Sequence, residues 1–243
     1  LTLNDLTLIP WQRYAGKLQL SSGPDGQRLH YQGPNLSAEA QLDEKQQLTL
    51  QSLTIVPPNS AQPLHLAGKI TIPLDLASLP TQGALQGEMQ TAYLEKPVLL
   101  DMRWQQQQGV LTVSEKGDDR PLAVLPWEVA PQRLSIKQGE WRWPYSGQPL
   151  NGGLNIALHD WSKGWDETEI SARLNVITAG HNGKGNAVLT LGPGKVGLTD
   201  SDLRFQLTGQ ANLADFSTTA SIPGVIGGSI LNPTLVLQPG SLL

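Results

Sequence analysis

A chain of 243 residues with 17 Lys plus Arg against 21 Asp plus Glu, a formal net charge of -4 and no basic stripe offers no electrostatic footprint for a nucleic-acid backbone. Having no Cys, it holds no disulfide, thiolate metal site or cysteine nucleophile, which suits either the cytosol or a periplasm that avoids oxidation chemistry. Charged residues are only 16% of the chain and 25 Gly, 18 Pro and abundant Gln, Ser, Thr and Asn stand in their place, the palette of strands and turns.

The first residues, "LTLNDLTLIP", alternate from the outset, with no charged start and no cleavage site, and no run in the chain approaches ~18 consecutive apolar residues. The sequence therefore reads as a soluble fragment of something longer. Leu48 and Leu50, then Leu53 and Ile55, alternate with a slip of phase between Leu50 and Leu53 that predicts a bulge. In "LHLAGKITIPLDL" the even positions Leu64, Leu66, Gly68, Ile70, Ile72, Leu74 and Leu76 form one face of a strand, whereas on a helix they scatter round the axis. Pro73 then implies an edge position or a break before a short helical turn.

A soft boundary falls near Asp118 to Pro126, which reads equally as a long hairpin loop. Beyond it, period-two alternation returns at Leu154–Leu158, Ile170–Val176, Ala187–Leu191 and Leu203–Leu207. Turn signals separate these segments: "SSGPDGQ", "VPPNSAQP", "SEKGDDRP", "YSGQPLNGG" and "AGHNGKGN". Strands of ~5–10 residues joined by short turns predict an antiparallel meander. Pro-Trp pairs followed by a turn and an alternating strand recur near Trp11, Trp127 and Trp143, as in a sheet that grows by adding hairpins. No amphipathic helix of useful length is present, so doubly wound and TIM-barrel folds are excluded. The strand faces opposite the apolar ones carry Thr, Gln, Ser, Asn and Lys, as in a sheet wet on one side.

Chemical signatures are few. "GPGKVG" matches G-x-G-x-x-G literally at Gly192, Gly194 and Gly197, but no helix can follow it, since "LRFQLTG" alternates at once. It reads as a tight Gly-Pro-Gly turn between strands. "GHNGKGN" lacks the length and hydroxyl of a P-loop and reads as a hairpin turn. His30, His65, His159 and His181 have no metal-ligand spacing, so no metal or other cofactor is expected. Trp161 and Trp165 beside Asp160, Asp166 and Glu167 suggest a sugar platform or, more simply, strand-end packing. No nucleophile elbow is present, so no catalytic residue is assigned and an enzyme is disfavoured.

The stretch "SARLNVITAGHNGKGNAVLTLGPGKVGLTDSDLRFQLTGQANL" and the ending "IGGSILNPTLVLQPG" resemble the YdbH-type members of the AsmA-like group, which also includes TamB. The likeness is strongest from Trp143 to Gly240, whereas the first hundred residues share only the strand pattern. The resemblance implies an elongated, curved, mainly antiparallel sheet folded into an open hydrophobic groove. It implies an inner-membrane anchor outside this chain, a course through the periplasm, phospholipid cargo and pairing with a small outer-membrane lipoprotein, YnbE. On that reading the whole chain, 1–243, is one groove fragment. Acyl chains would lie along Leu48, Leu50, Leu64, Leu66, Ile70, Ile72, Leu174, Val176, Leu189, Leu191, Leu203, Phe205 and Leu207. The alternatives are a closed β-sandwich in which the same residues form a dry core, an assembly subunit resembling the type II secretion N protein, and a carbohydrate-binding module built on Trp161 and Trp165.

Overall fold

The computed structural model describes residues 2–9, 12–56, 62–72, 81–91, 94–146, 149–160, 168–180, 183–197, 200–213, 216–229, 232–239 and 241–242; the side chains of the first strand and of several strand ends lie outside that description. The alternation of apolar and polar residues becomes strand throughout, and no helix occurs among the described residues.

The chain divides into two units, Leu1–Pro121 and Leu122–Leu243. The first holds β1 (Thr2–Ile9), β2 (Gln12–Gly23), β3 (Gly26–Gln32), β4 (Leu36–Leu42), β5 (Gln47–Ile55), β6 (Leu64–Thr71), β7 (Gln82–Met89), β8 (Val98–Gln105) and β9 (Gln108–Glu115). The second holds β10 (Ala123–Ala130), β11 (Arg133–Trp143), β12 (Leu150–His159), β13 (Glu169–Gly180), β14 (Gly183–Val196), β15 (Ser201–Leu213), β16 (Phe216–Ser229), β17 (Asn232–Leu237) and β18 (Ser241–Leu242). In the first unit each strand pairs antiparallel with the next in sequence. The second does the same as far as β17, and β18 returns to pair with β16. Among the described residues no ladder joins the first strand of a unit to its last, so each unit is an open meander.

The phase slip in β5 is a bulge: the β5–β6 register shifts between Leu50 and Leu53. One extra residue there keeps Leu48, Leu50, Leu53 and Ile55 on a common face despite the odd spacing. The break expected at Pro73 follows the end of β6 at Thr71, and Pro73 to Pro80 lie outside the described residues.

Three expectations need correction. Strands β13 to β16 are longer than ~10 residues, spanning 12, 14, 13 and 14. The "LNGG" of "YSGQPLNGG" belongs to β12 and not to a turn, so Gly152 and Gly153 are strand residues. The "GPGKVG" stretch is not a tight turn either. All of it but Gly197 lies within β14, whose register with β15 jumps between Leu191 and Lys195 before pairing resumes at Lys195 and Asp202. A glycine-proline-glycine run between apolar residues permits both outcomes. Here the strand continues through it, and no helix follows.

Gly192 sits at φ +71 inside this bulge, and a methyl group placed on it would overlap the carbonyl oxygen of Ile170. Gly192→Ala is therefore expected to lower stability by roughly 1–3 kcal/mol, read as a shift of the urea midpoint. An unchanged midpoint would show that the bulge relaxes without cost.

Candidate functional site

Directly opposed residues of an antiparallel pair point to the same side of the sheet, so the registers assign every strand residue to a face. In the first unit, one row across β2 to β9 reads Leu18, Tyr31, Ala38, Leu53, Leu66, Gly87, Leu100 and Val113. The next reads Leu20, Leu29, Ala40, Leu50, Gly68, Leu85, Met102 and Leu111. A third runs Leu42, Leu48, Ile70, Gly83, Trp104 and Gly109. A fourth runs Leu36, Ile55, Leu64, Met89 and Val98. These rows form one uninterrupted apolar face. On it lie Leu48, Leu50, Leu64, Leu66 and Ile70 from the sequence reading; Ile72 lies just past the end of β6.

The second unit repeats the arrangement. One row reads Leu154, Leu174, Leu189, Leu207 and Ile222; its neighbour reads Trp127, Ile136, Ile156, Ala172, Leu191, Phe205, Gly224 and Leu237. Leu203 opposes Ile226, which opposes Leu235, and Val176 opposes Ala187. All of the sequence-nominated residues of this half, Leu174, Val176, Leu189, Leu191, Leu203, Phe205 and Leu207, therefore share a side.

These apolar faces are incompletely covered. Within them Leu50 (9% exposed), Leu85 (9%) and Leu203 (4%) are buried, but Leu207 and Ile222 are each 37% exposed and Leu235 and Leu237 63% and 62%. Among the described residues no large side chain is completely sealed from solvent. A closed two-layer core of so many strands would contain several, because interiors pack to near-crystalline density. The surface area agrees. The chain exposes 15549 Å², whereas two separate compact bodies of half its 26.2 kDa would together expose about 13,000 Å².

The opposite faces are mainly hydrophilic, with Val110, Ile177 and Val236 exposed among their polar residues. Exposed ion pairs cross or lie along them, Lys116 Nζ to Glu88 at 3.2 Å, Lys137 Nζ to Glu128 at 2.8 Å and Arg103 to Asp101 at 2.8 Å. Hydrogen bonds from Arg103 hold the Asp101 carboxyl below its ordinary value, and one from Lys137 does the same for Glu128. Carboxyls depressed in the folded state lend their support at neutral pH and lose it as the pH falls through their lowered values. A shallow depression of 530 Å³ on this side of β7 to β9 is rimmed by Gln86, Leu99, Asp101, Arg103, Thr112 and Ser114.

No group of three or more His, Cys, Asp or Glu placed to hold a metal occurs among the described residues. Of the sugar-platform reading, Trp161, Trp165, Asp166 and Glu167 lie outside them, as does His181, one of the four histidines, whereas Asp160 is described and follows the end of β12 at His159. No helix among the described residues is long and apolar enough to cross a membrane. Sequence reasoning missed much of the apolar face: Leu100, Met102, Ile136, Ile156, Ile222 and Leu235 share it, as do Trp104 and Trp141. Their alternation is present in the sequence, but only register reveals that they align with the nominated residues.

A family model described as YdbH-like, "Intermembrane phospholipid transport protein YdbH", matches residues 1–243. The match includes the first hundred residues, where the sequence resemblance rested on strand pattern alone. A curated relative from Escherichia coli (strain K12), "Probable phospholipid transport protein YdbH", is 38% identical over 245 residues, an alignment covering 100% of this chain and 28% of the relative. No solved structure matches the chain. With a family model spanning its whole length and a relative at this identity, the chain belongs to the YdbH-like family of intermembrane phospholipid transport proteins.

Proposed function

We propose that this chain is a periplasmic segment of a phospholipid conduit between the inner and outer membranes, with acyl chains lying on the apolar faces and headgroups left in solvent. The observation that carries the reading is the unbroken cross-strand rows of Leu, Ile and Val, paired with exposures of 37% to 63% on the same face in the second unit. The name of the curated relative, a probable phospholipid transport protein, supports it. Such a face suits transport better than storage. Each methylene removed from water gains about 0.8 kcal/mol without any directional requirement, so a chain sliding from one row to the next keeps its burial and meets no specific site. The role is carriage and needs no catalytic group. The anchor in the inner membrane belongs to the part of the protein outside this chain, and an outer-membrane lipoprotein of the YnbE kind is the distal partner.

Photo-crosslinking in the full-length protein in cells tests the reading. A photoreactive residue at the inward positions Leu66, Leu189, Leu191 or Leu207 is expected to capture phospholipid, and one at Lys69, Thr190 or Gln206, on the hydrophilic side of the same strands, is not. A clean negative at every inward position of a folded protein would sink the conduit and favour an assembly subunit.

A further inference from the structure

Glycine is 25 of the 243 residues, yet three aromatic side chains on the apolar faces directly oppose one across the ladder. Trp104 opposes Gly83 on one side and Gly109 on the other. Phe205 opposes Gly224 and Trp141 opposes Gly152. Gly83 and Gly224 lie under the rings that oppose them. A methyl group on Gly83 would overlap Cη2 and Cζ2 of Trp104, and one on Gly224 would overlap Cζ and Cε1 of Phe205; at Gly152 the overlap is with the backbone carbonyl of Asn175, and Trp141 Nε1 stands farther off at 3.2 Å. Tyr31 behaves alike without being directly opposed: a methyl on Gly16 would lie 2.7 Å from its Cζ and from its hydroxyl oxygen.

Side chains of a strand normally stand roughly perpendicular to the sheet, and directly opposed pairs meet Cβ to Cβ at about 4.5–5.5 Å. A ring beside a residue with a side chain must therefore stand up. Beside glycine it can lie down on the neighbouring backbone, occupying only a contact layer of about 3.5–4.0 Å. Trp104 shows the result, packed against the cluster of Ala40, Leu50 and Leu85 in the first unit. In a closed core such flatness has no purpose, because an upright ring would fill space that must be filled. On a face that carries a second, mobile apolar layer it decides whether that layer fits.

Resting on the conduit reading above, we propose that Gly83 and Gly224 set the clearance of the lipid track: each lets an aromatic ring add apolar surface while keeping out of the path of the acyl chains. Gly83 gives the cleanest test, since all three atoms nearest its added methyl belong to the Trp104 ring and none to backbone.

The experiment uses the purified full-length protein with a photoreactive residue at Leu48, in the same cross-strand row, incubated with vesicles of phosphatidylethanolamine and phosphatidylglycerol. Gly83→Val is expected to lower lipid capture about fivefold, the size of coupling that contacting side chains show, by driving the Trp104 ring upright. Trp104→Ala alone, which removes apolar surface from the track, is expected to lower capture no more than about twofold, and Gly83→Val/Trp104→Ala to bring capture back to the level of Trp104→Ala. If the double variant, folded by circular dichroism, captures no more lipid than Gly83→Val, the ring is not the obstacle and the proposal is overturned. It is equally overturned if Gly83→Val captures as the parent does. Absence of capture by the parent protein would instead remove the conduit reading, a separate result. Should Gly83→Val fail to fold, the same cycle at Gly224 and Phe205, read from Leu207, decides the question in the same terms.

Discussion

Leu203→Ala is expected to cost about 2–4 kcal/mol of folding free energy, while Leu207→Ala, four residues along the same strand and on the same face, costs under about 1 kcal/mol. Leu203 is only 4% exposed, pressed against the bulge at Gly192, where its Cδ1 would lie 3.2 Å from an added methyl. Removing its isopropyl group leaves a hole lined by Ile226 and the bulged backbone, which cannot collapse without moving a strand. Leu207 is 37% exposed and has water on one side already, so truncation loses less transfer free energy and leaves no cavity. Urea denaturation followed by circular dichroism gives both values, with the slope serving as a check that the denatured state is unchanged. Equal costs at the two sites would mean that the face is sealed at Leu207 in solution, as in a sandwich core.

The contrast between these two leucines also marks how far the sequence could be read. That Leu203, Phe205 and Leu207 share a face follows from a period of two, which three residues suffice to display. The same holds for Leu64, Leu66 and Ile70, and the slip at Leu50 and Leu53 was visible as a bulge because the apolar residues bracket it. Family membership was legible in "SARLNVITAGHNGKGN" and "IGGSILNPTLVLQPG". The difference between 4% and 37% exposure was not, since it depends on what lies over the strand and not on the strand itself. Nor was the fate of Gly192 to Gly194, where bulge and turn ask for the same residues and only the partner strand chooses. The pairing of Trp104 with Gly83 was hidden for a third reason. The two residues are far apart in the chain, and their meeting depends on the β7–β8 register.

An aspartate on the open part of the apolar face should separate folding from function most sharply. Leu207→Asp is expected to leave the protein folded, because a side chain 37% exposed can turn its carboxylate to water. Lipid capture read from a photoreactive residue at Leu189, its directly opposed neighbour, should nevertheless fall at least tenfold. An acyl chain lying over that position would have to strip water from a carboxylate with no partner on this face. That costs several kcal/mol, against about 1.4 kcal/mol for each tenfold loss of binding. Gln206→Asp, the adjacent residue pointing to the hydrophilic side, carries the same added charge and should change nothing. The pH dependence adds a sign that no folding defect would produce. Covering by lipid raises the pKa of the introduced carboxyl, since desolvation disfavours its charged form, so capture by Leu207→Asp should recover as the pH is lowered and the group accepts a proton. The parent protein should show no such recovery. Loss of capture in both aspartate variants would point to net charge and not to the track, and a loss at Leu207→Asp that stays flat with pH would mean that lipid never covers that residue.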